Sequence, residues 1–277
     1  MEILKENIVS RDRAEIFSEN LERTVLIDIY LSAYDSGNKD YELLLINDGQ
    51  DLPSMKFDTM LEHLYTSHQL RPLICVGIHC NEDRINEYGV SGLPDCKGRG
   101  AKAKAYQDFL MGELLPYIKN RFKSFHLSGI SFAGFSMGGL SALDTVWNHP
   151  DIFHRVGVFS GSLWWRSKDY THKEYNQYTD RIMHYKIRSG EFRPGMKFFF
   201  QCGILDESED RNKNGVIDSI DDTLDLMREL MNKGYLEGPD MTYLQLPDGR
   251  HDVASWGRAF PVFLQWGWGM KIQNKHG

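Results

Sequence analysis

Between Thr24 and Trp268 the chain alternates short apolar runs with segments of helical spacing, and this rhythm restricts the fold more than any other feature. Val25, Ile27, Ile29 and Leu31 alternate along residues 24–31, the pattern of a strand near a sheet edge. Residues 42–46 and 73–78 are short continuous apolar runs, as expected of strands covered on both faces. Residues 57–70 between them read as a helix. Tyr106, Phe109, Leu110, Leu114, Tyr117 and Ile118 mark another, which Pro116 should kink or interrupt near its end. A second series follows: strand 130–133, helix 137–147, strand 156–160, strand 196–202, helix 220–233, strand 241–246 and a final helix 253–268. Strands alternating with helices predict an α/β fold, a mostly parallel sheet with helices on both faces. Residues 163–194 break the rhythm. They are polar and aromatic, and a stretch so long inside a compact domain reads as a modest cap-like insertion. The expectation is a single domain over residues 1–277.

Several classes are disfavoured by composition. A chain of 277 residues buries about three quarters of its unfolded surface and needs no disulfide or metal to fold. Its 39 acidic against 32 basic residues, net charge −7, argue against nucleic acid as a partner. Lys97, Arg99, Lys102 and Lys104 cluster without interleaved aromatics and read as a solvated helix start. No apolar run approaches the ~18 residues of a membrane span. Residues 1–6 lack the apolar core of a signal peptide, which gives a cytoplasmic expectation. Cys75, Cys80, Cys96 and Cys202 lack metal-binding spacing and read as reduced thiols.

The chemistry concentrates at Gly134-Phe135-Ser136-Met137-Gly138, a G-x-S-x-G pattern between a strand and an amphipathic helix. In that setting a serine is held in a strained turn with its hydroxyl above the sheet. A serine hydroxyl is too weakly acidic to attack an ester unaided; it needs an imidazole to take its proton and an acid to orient the imidazole. In a doubly wound sheet these follow later strands in the order acid, then histidine. Asp206, with Glu207 as its neighbour and rival, follows strand 196–202, and His251 follows strand 241–246. His79 ends a strand on the wrong side of the serine and reads as a pocket wall. The two backbone donors of an oxyanion hole are expected at Met137 and, from the turn Asn47-Asp48-Gly49-Gln50-Asp51, at Gln50 in preference to Asp51. Trp164 or Trp165, in the insertion, should overhang the site and touch an acyl or alcohol group; their faces suit sugars or phenolic acids.

Leu44-Leu45-Ile46-Asn47-Asp48-Gly49, Gly134-Phe135-Ser136-Met137-Gly138-Gly139, Phe159-Ser160-Gly161-Ser162-Leu163-Trp164-Trp165 and Gly249-Arg250-His251-Asp252 with Trp256 together resemble the esterase family of α/β-hydrolases that includes esterase D, feruloyl and acetyl-xylan esterases and siderophore trilactone esterases. The resemblance spans roughly residues 24–268. It implies an α/β-hydrolase core, hydrolysis of a small-molecule carboxylic ester through an acyl-enzyme, and a triad of Ser136, Asp206 and His251. It does not transfer a substrate.

A second pattern stands apart from the esterase reading. Asp210, Asn212, Asn214, Val216, Asp218 and Asp221 occupy positions 1, 3, 5, 7, 9 and 12 of an EF-hand-like loop, with Gly215 at the sharp turn. Position 12 is Asp instead of Glu, and no helix enters the loop. A structural Ca²⁺ is the expectation there, whereas the ester chemistry needs no cofactor. Alternatives of other classes are an acyltransferase on the same fold and a non-catalytic calcium-dependent binding domain.

Overall fold

The computed structural model describes residues 8–32 and 39–270. Residues 1–6, from which location was read, and the two ends of the 1–277 domain reading lie outside the described residues. Eight strands form one sheet: β1 (Val9–Ser18), β2 (Arg23–Ser32), β3 (Asp40–Asn47), β4 (Leu73–Ile78), β5 (His126–Phe135), β6 (Phe153–Phe159), β7 (Lys197–Leu205) and β8 (Met241–Arg250). Their order is β1-β2-β4-β3-β5-β6-β7-β8. β1 pairs antiparallel with β2, and β2 with β4; every later pairing is parallel. The helices are α1 (Phe57–Thr66), α2 (Arg84–Glu87), α3 (Ala103–Phe109), α4 (Leu115–Arg121), α5 (Met137–Asn148), α6 (Ile182–Ser189), α7 (Asp218–Lys233) and α8 (Val253–Trp268).

Period-two alternation splits the central strands between two cores. Leu43 and Leu45 of β3, Ile74 and Val76 of β4 and Phe198 and Phe200 of β7 face a core shared with α3, α5 and α7. Leu44, Ile46, Cys75 and Phe199 face the opposite core, filled by Phe57, Leu61 and Leu64 of α1 and Phe260, Phe263 and Leu264 of α8. This two-sided burial is why these strands read as continuous apolar runs.

Three elements differ from the sequence expectation. β1 has no counterpart in the apolar pattern: it is the outer edge, mostly exposed, and its sequence Val-Ser-Arg-Asp-Arg-Ala-Glu-Ile has only a weak inward face. Pro116 does not interrupt its helix. The chain passes from α3 through a widened π turn, Leu110–Leu114, directly into α4, a local expansion that accommodates the missing proline N–H. The insertion 163–194 contains a helix, α6, that the polar and aromatic pattern does not signal, and it is tied to the core. Arg166 and Arg181 reach the fully buried Asp222 of α7 at 3.4 and 3.1 Å, and Arg211 joins them at 2.6 Å.

Because β3, β5, β7 and β8 are parallel, the residues that follow them all emerge at one edge of the sheet. Asn47 leads into a single 3₁₀ turn, Gly49–Asp51; Phe135 leads into Ser136, Leu205 into Asp206 and Arg250 into His251. Open α/β sheets bind their ligands at this edge.

Candidate active site

β5 passes into α5 through Ser136, whose φ of 54° and ψ of −122° lie outside the regions most L-residues adopt. Two glycines make the turn sterically feasible. A Cβ on Gly134 would collide with the Gly138 carbonyl and stand 2.8 Å from the Gly139 nitrogen, and one on Gly138 would stand 2.7 Å from Asp48 Oδ2. The Ser136 N–H donates to the Phe159 carbonyl at 2.9 Å, and the Ser162 N–H to the Ser136 carbonyl at 3.1 Å, so the strained residue is held from both sides. Its Oγ lies 3.3 Å from the Ser162 Oγ. Met137, first residue of α5, carries one of the N–H groups that no preceding turn of helix can satisfy.

The loop after β3 faces this turn. Asn47 donates through Nδ2 to the Gly138 carbonyl at 2.8 Å and accepts the Tyr106 hydroxyl at 2.5 Å, which stitches β3 to α5. Asp48 is left-handed, φ 59°. The Asp51 N–H donates to the Asp48 carbonyl at 3.0 Å. The Gln50 N–H has no backbone acceptor among the described residues. Its side chain is fixed, with Nε2 3.3 Å from Asp48 Oδ1 and Oε1 accepting the Cys80 N–H at 3.2 Å. Of the two donors considered from sequence, Gln50 is the one left open.

Asp206 is 9 % exposed. Its Oδ2 accepts the Gly203 N–H at 2.9 Å, while Oδ1 is buried without a partner, an acceptor in want of a donor. Burial pushes the carboxyl up, against the opposing pull of Gly203, Ser160 and the charge of His251. His251 stands exposed, its ring edge-on to Trp256 at 5.3 Å, and Trp256 Nε1–H donates to Ser160 Oγ at 3.0 Å. Protein packed about the ring lowers its pKa below the ordinary histidine value, Arg84 lowers it further, and Asp206 and Asp252 oppose. No hydrogen bond among the described residues joins His251 to Ser136 or Asp206. The fold brings all three to one sheet edge and leaves the imidazole without a hydrogen bond to either partner. Glu207 belongs to a different neighbourhood. Burial, with Asp218, Glu209 and Asp222 close by, pushes it up to about 7.

Two sequence expectations, at Trp165 and Asp218, need correction. Trp165 is 0 % exposed. Its ring lies against Gly89 and Gly100, and its Nε1–H donates to the Leu93 carbonyl at 3.0 Å, so it is core and cannot touch a substrate. Trp164 is half-buried, with the Arg99 guanidinium 4.4 Å from its ring centre. His79 Nε2 lies 2.8 Å from the buried Asp28, which Arg11 and Arg13 also hold. Asp218 is already engaged by Arg211 of the same loop: its Oδ1 accepts the Arg211 backbone N–H at 2.9 Å and pairs with the guanidinium at 3.0 Å.

The rest of that loop closes on itself. Asp210 accepts the N–H groups of Asn214 and Gly215 at 3.1 and 2.8 Å, and Asn214 Oδ1 accepts the Val216 N–H at 2.8 Å. Asn212 and Asn214 both donate through Nδ2 to Asp221 Oδ2, at 2.9 and 2.8 Å. Gly215, φ 86°, makes the sharp turn. Among the described residues no three His, Cys, Asp or Glu side chains gather where they could hold a metal. All four cysteines are free thiols. Among the described residues no helix is long and apolar enough to cross a membrane.

A serine on a strained strand-to-helix turn, above a mostly parallel sheet with an acid and a histidine after later strands, defines an α/β-hydrolase architecture. Residues 18–266 match the family described as "Putative esterase", and the chain belongs to that family. It is similar to the uncharacterised protein YjcH of Bacillus subtilis, 23 % identical over 146 residues, 51 % of this chain and 58 % of that one. The structure resembles the enterobactin esterase FES of Shigella flexneri, solved in the presence of enterobactin, with a TM-score of 0.69 and 23 % identity. That match covers 93 % of this chain and 59 % of FES. It also resembles the siderophore hydrolase EstB of Aspergillus nidulans, with a TM-score of 0.67, 17 % identity and coverage of 96 % and 97 %. The chain thus spans less than two thirds of the length of YjcH and FES. At these identities the structural likeness speaks for the fold.

Proposed function

We propose that this protein is a serine esterase that hydrolyses a small carboxylic ester through an acyl-enzyme. The observation that carries the reading is Ser136 in its strained conformation at the start of α5, with backbone N–H groups open on either side. Ser136 Oγ attacks the ester carbonyl while His251 takes its proton. The carbonyl oxygen, now an anion, accepts from the N–H groups of Met137 and Gln50. His251 returns the proton to the departing alcohol, then activates a water that releases the acid and regenerates Ser136. Asp206 orients the imidazole; its partnerless Oδ1 is the acceptor that the ring N–H needs. Closing the triad requires His251 to move towards Ser136 and Ser136 Oγ to leave Ser162.

The cap and the relatives' names support a substrate class for this proposal. Trp164 beside Arg99 offers an aromatic face with a cation behind it, suited to a phenolic, sugar-linked or siderophore-type ester, and FES is named an enterobactin esterase and EstB a siderophore hydrolase. A fluorophosphonate probe tests the nucleophile. It should label the wild type and leave Ser136→Ala unlabelled and at least about a thousandfold slower on p-nitrophenyl acetate. Near-full activity in Ser136→Ala refutes the mechanism. Comparing free acid with transfer product, with an added sugar alcohol, separates hydrolysis from acyl transfer.

A structural Ca²⁺ in the loop after Asp206 is a second, separate proposal. Asp210, Asn212, Asn214 and Asp221 already converge, and rotating the two amides would present oxygens in place of the Nδ2 groups now on Asp221, with the Val216 carbonyl completing the set. Asp218, tied to Arg211, is left out of that set.

A further inference from the structure

We propose that Arg84 is the positioning residue of the oxyanion hole, a single guanidinium tying the loop that carries the Gln50 N–H to the turn that carries the Met137 N–H. This rests on the serine-esterase reading. An oxyanion hole works only if its donors stand at hydrogen-bond distance from one developing charge, and here they come from segments about ninety residues apart in sequence. Arg84 bonds both. Its Nε and Nη2 donate to Asp48 Oδ1 and Oδ2 at 2.7 and 2.8 Å, and Nη2 also reaches the Phe135 carbonyl at 3.3 Å. Asp48 precedes Gln50 by two residues and Phe135 precedes Met137 by two, so the clamp grips each donor at the same remove.

The surroundings fix the guanidinium in turn. It lies over the Tyr88 ring at 5.1 Å, and the Tyr88 hydroxyl accepts the Asp48 N–H at 3.2 Å. The Asp48 side chain is 2 % exposed and that of Arg84 30 %. Such a pair adds little net stability over an apolar one, so its use is better sought in geometry. A lysine has a single nitrogen and cannot reproduce the parallel Nε and Nη2 bonds to both Asp48 oxygens while also reaching the Phe135 carbonyl. Arg84 also bears on the base: its charge acts on His251 against those of Asp206 and Asp252.

The test uses Arg84→Lys, Arg84→Met and the double variant Asp48→Asn/Arg84→Gln, which leaves no unpaired buried charge if Arg84→Met fails to fold. Thermal melts confirm folding. Each folded variant is assayed for kcat and KM on p-nitrophenyl acetate, for Ki of benzeneboronic acid, whose serine adduct places an oxygen in the hole, and for the pH profile of kcat/KM. Expected is a loss in kcat of about a hundredfold with KM within about threefold. Ki should rise in step with the loss in kcat/KM. The pH midpoint should move up in the charge-removing variants and stay put in Arg84→Lys. Wild-type kcat and Ki in a folded Arg84→Lys or double variant overturn the proposal. Failure of the fluorophosphonate to label wild-type Ser136 refutes instead the esterase reading beneath it.

Discussion

Gly134→Ala probes the turn that carries Ser136 without touching any atom of the proposed reaction. A methyl at Gly134 would overlap the Gly138 carbonyl and lie 2.8 Å from the Gly139 nitrogen, where ordinary contacts begin near 3.4 Å. Both obstacles are backbone, so no side-chain rotation relieves them. The first turn of α5 must recede by roughly 1 Å, a displacement that can cost ~100-fold in rate when it misplaces a catalytic group. Met137 N–H and Ser136 Oγ ride on that turn. Overpacking of this kind also costs about 1–3 kcal/mol of stability, or a melting shift of roughly 2–10 °C in a domain of this size. The control is Gly112→Ala, where the new Cβ meets nothing within 4 Å and the residue lies in a helical run. It should melt no lower than wild type and keep full activity. A Gly134→Ala protein with kcat within a factor of three of wild type and an unchanged melt would refute the claim that backbone approach, and not merely turn propensity, demands glycine there.

The adjacent tryptophans should separate cleanly. Trp165→Ala removes a fully buried ring and should cost about 3–5 kcal/mol in a denaturant melt. Trp164→Ala should melt nearly as wild type but raise KM for phenolic esters; unchanged kcat/KM for every active ester would remove it from the site. His251, with its pKa lowered chiefly by desolvation, should give a kcat/KM profile whose acid limb has its midpoint below 6.5; a midpoint above 7 would contradict the placement. His184 is fully buried, with Nε2 bonded to the Asp222 carbonyl at 2.8 Å, and burial pushes its pKa down to about 3. A folded value below the unfolded one means that the unfolded chain binds the proton first. Stability is therefore complete above ~6.5 and falls by up to about 1.4 kcal/mol per pH unit below it. His184→Gln should show a correspondingly shallower loss between pH 6.5 and 5 in urea titrations, and equal slopes would refute this. Calcium about 100-fold above Kd should stabilise the fold by about 2.7 kcal/mol, whereas magnesium should not. No melting shift between EDTA and calcium would leave the loop a self-closed turn.

Much of this protein is local enough to be legible in the chain. The parallel core strands were recognisable because burial on both faces makes them continuously apolar, and α5, α7 and α8 because one apolar stripe recurs at helical spacing. That Ser136, Asp206 and His251 emerge together was legible because each follows a readable strand, and parallel strands put their following loops at one edge. Features that depend on distant partners were not legible. β1 holds its place through Arg11 and Arg13 on Asp28, across strands, and carries almost no periodicity of its own. Trp164 and Trp165 are identical neighbours in sequence, and only Gly89 and Gly100, more than sixty residues earlier, decide which of them is buried. Asp218 fits a calcium loop by spacing, yet an Arg211 drawn in by Asp222 claims it. Whether Gln50 or Asp51 offers a free N–H turns on which amide the Asp48 carbonyl captures, and the clamp from Arg84 to Asp48 and Phe135 leaves no mark in any local pattern. Periodicity and turn chemistry act over a few residues and are written into the chain. Which polar group stays open and which ring is buried depends on atoms that meet only when the sheet has closed.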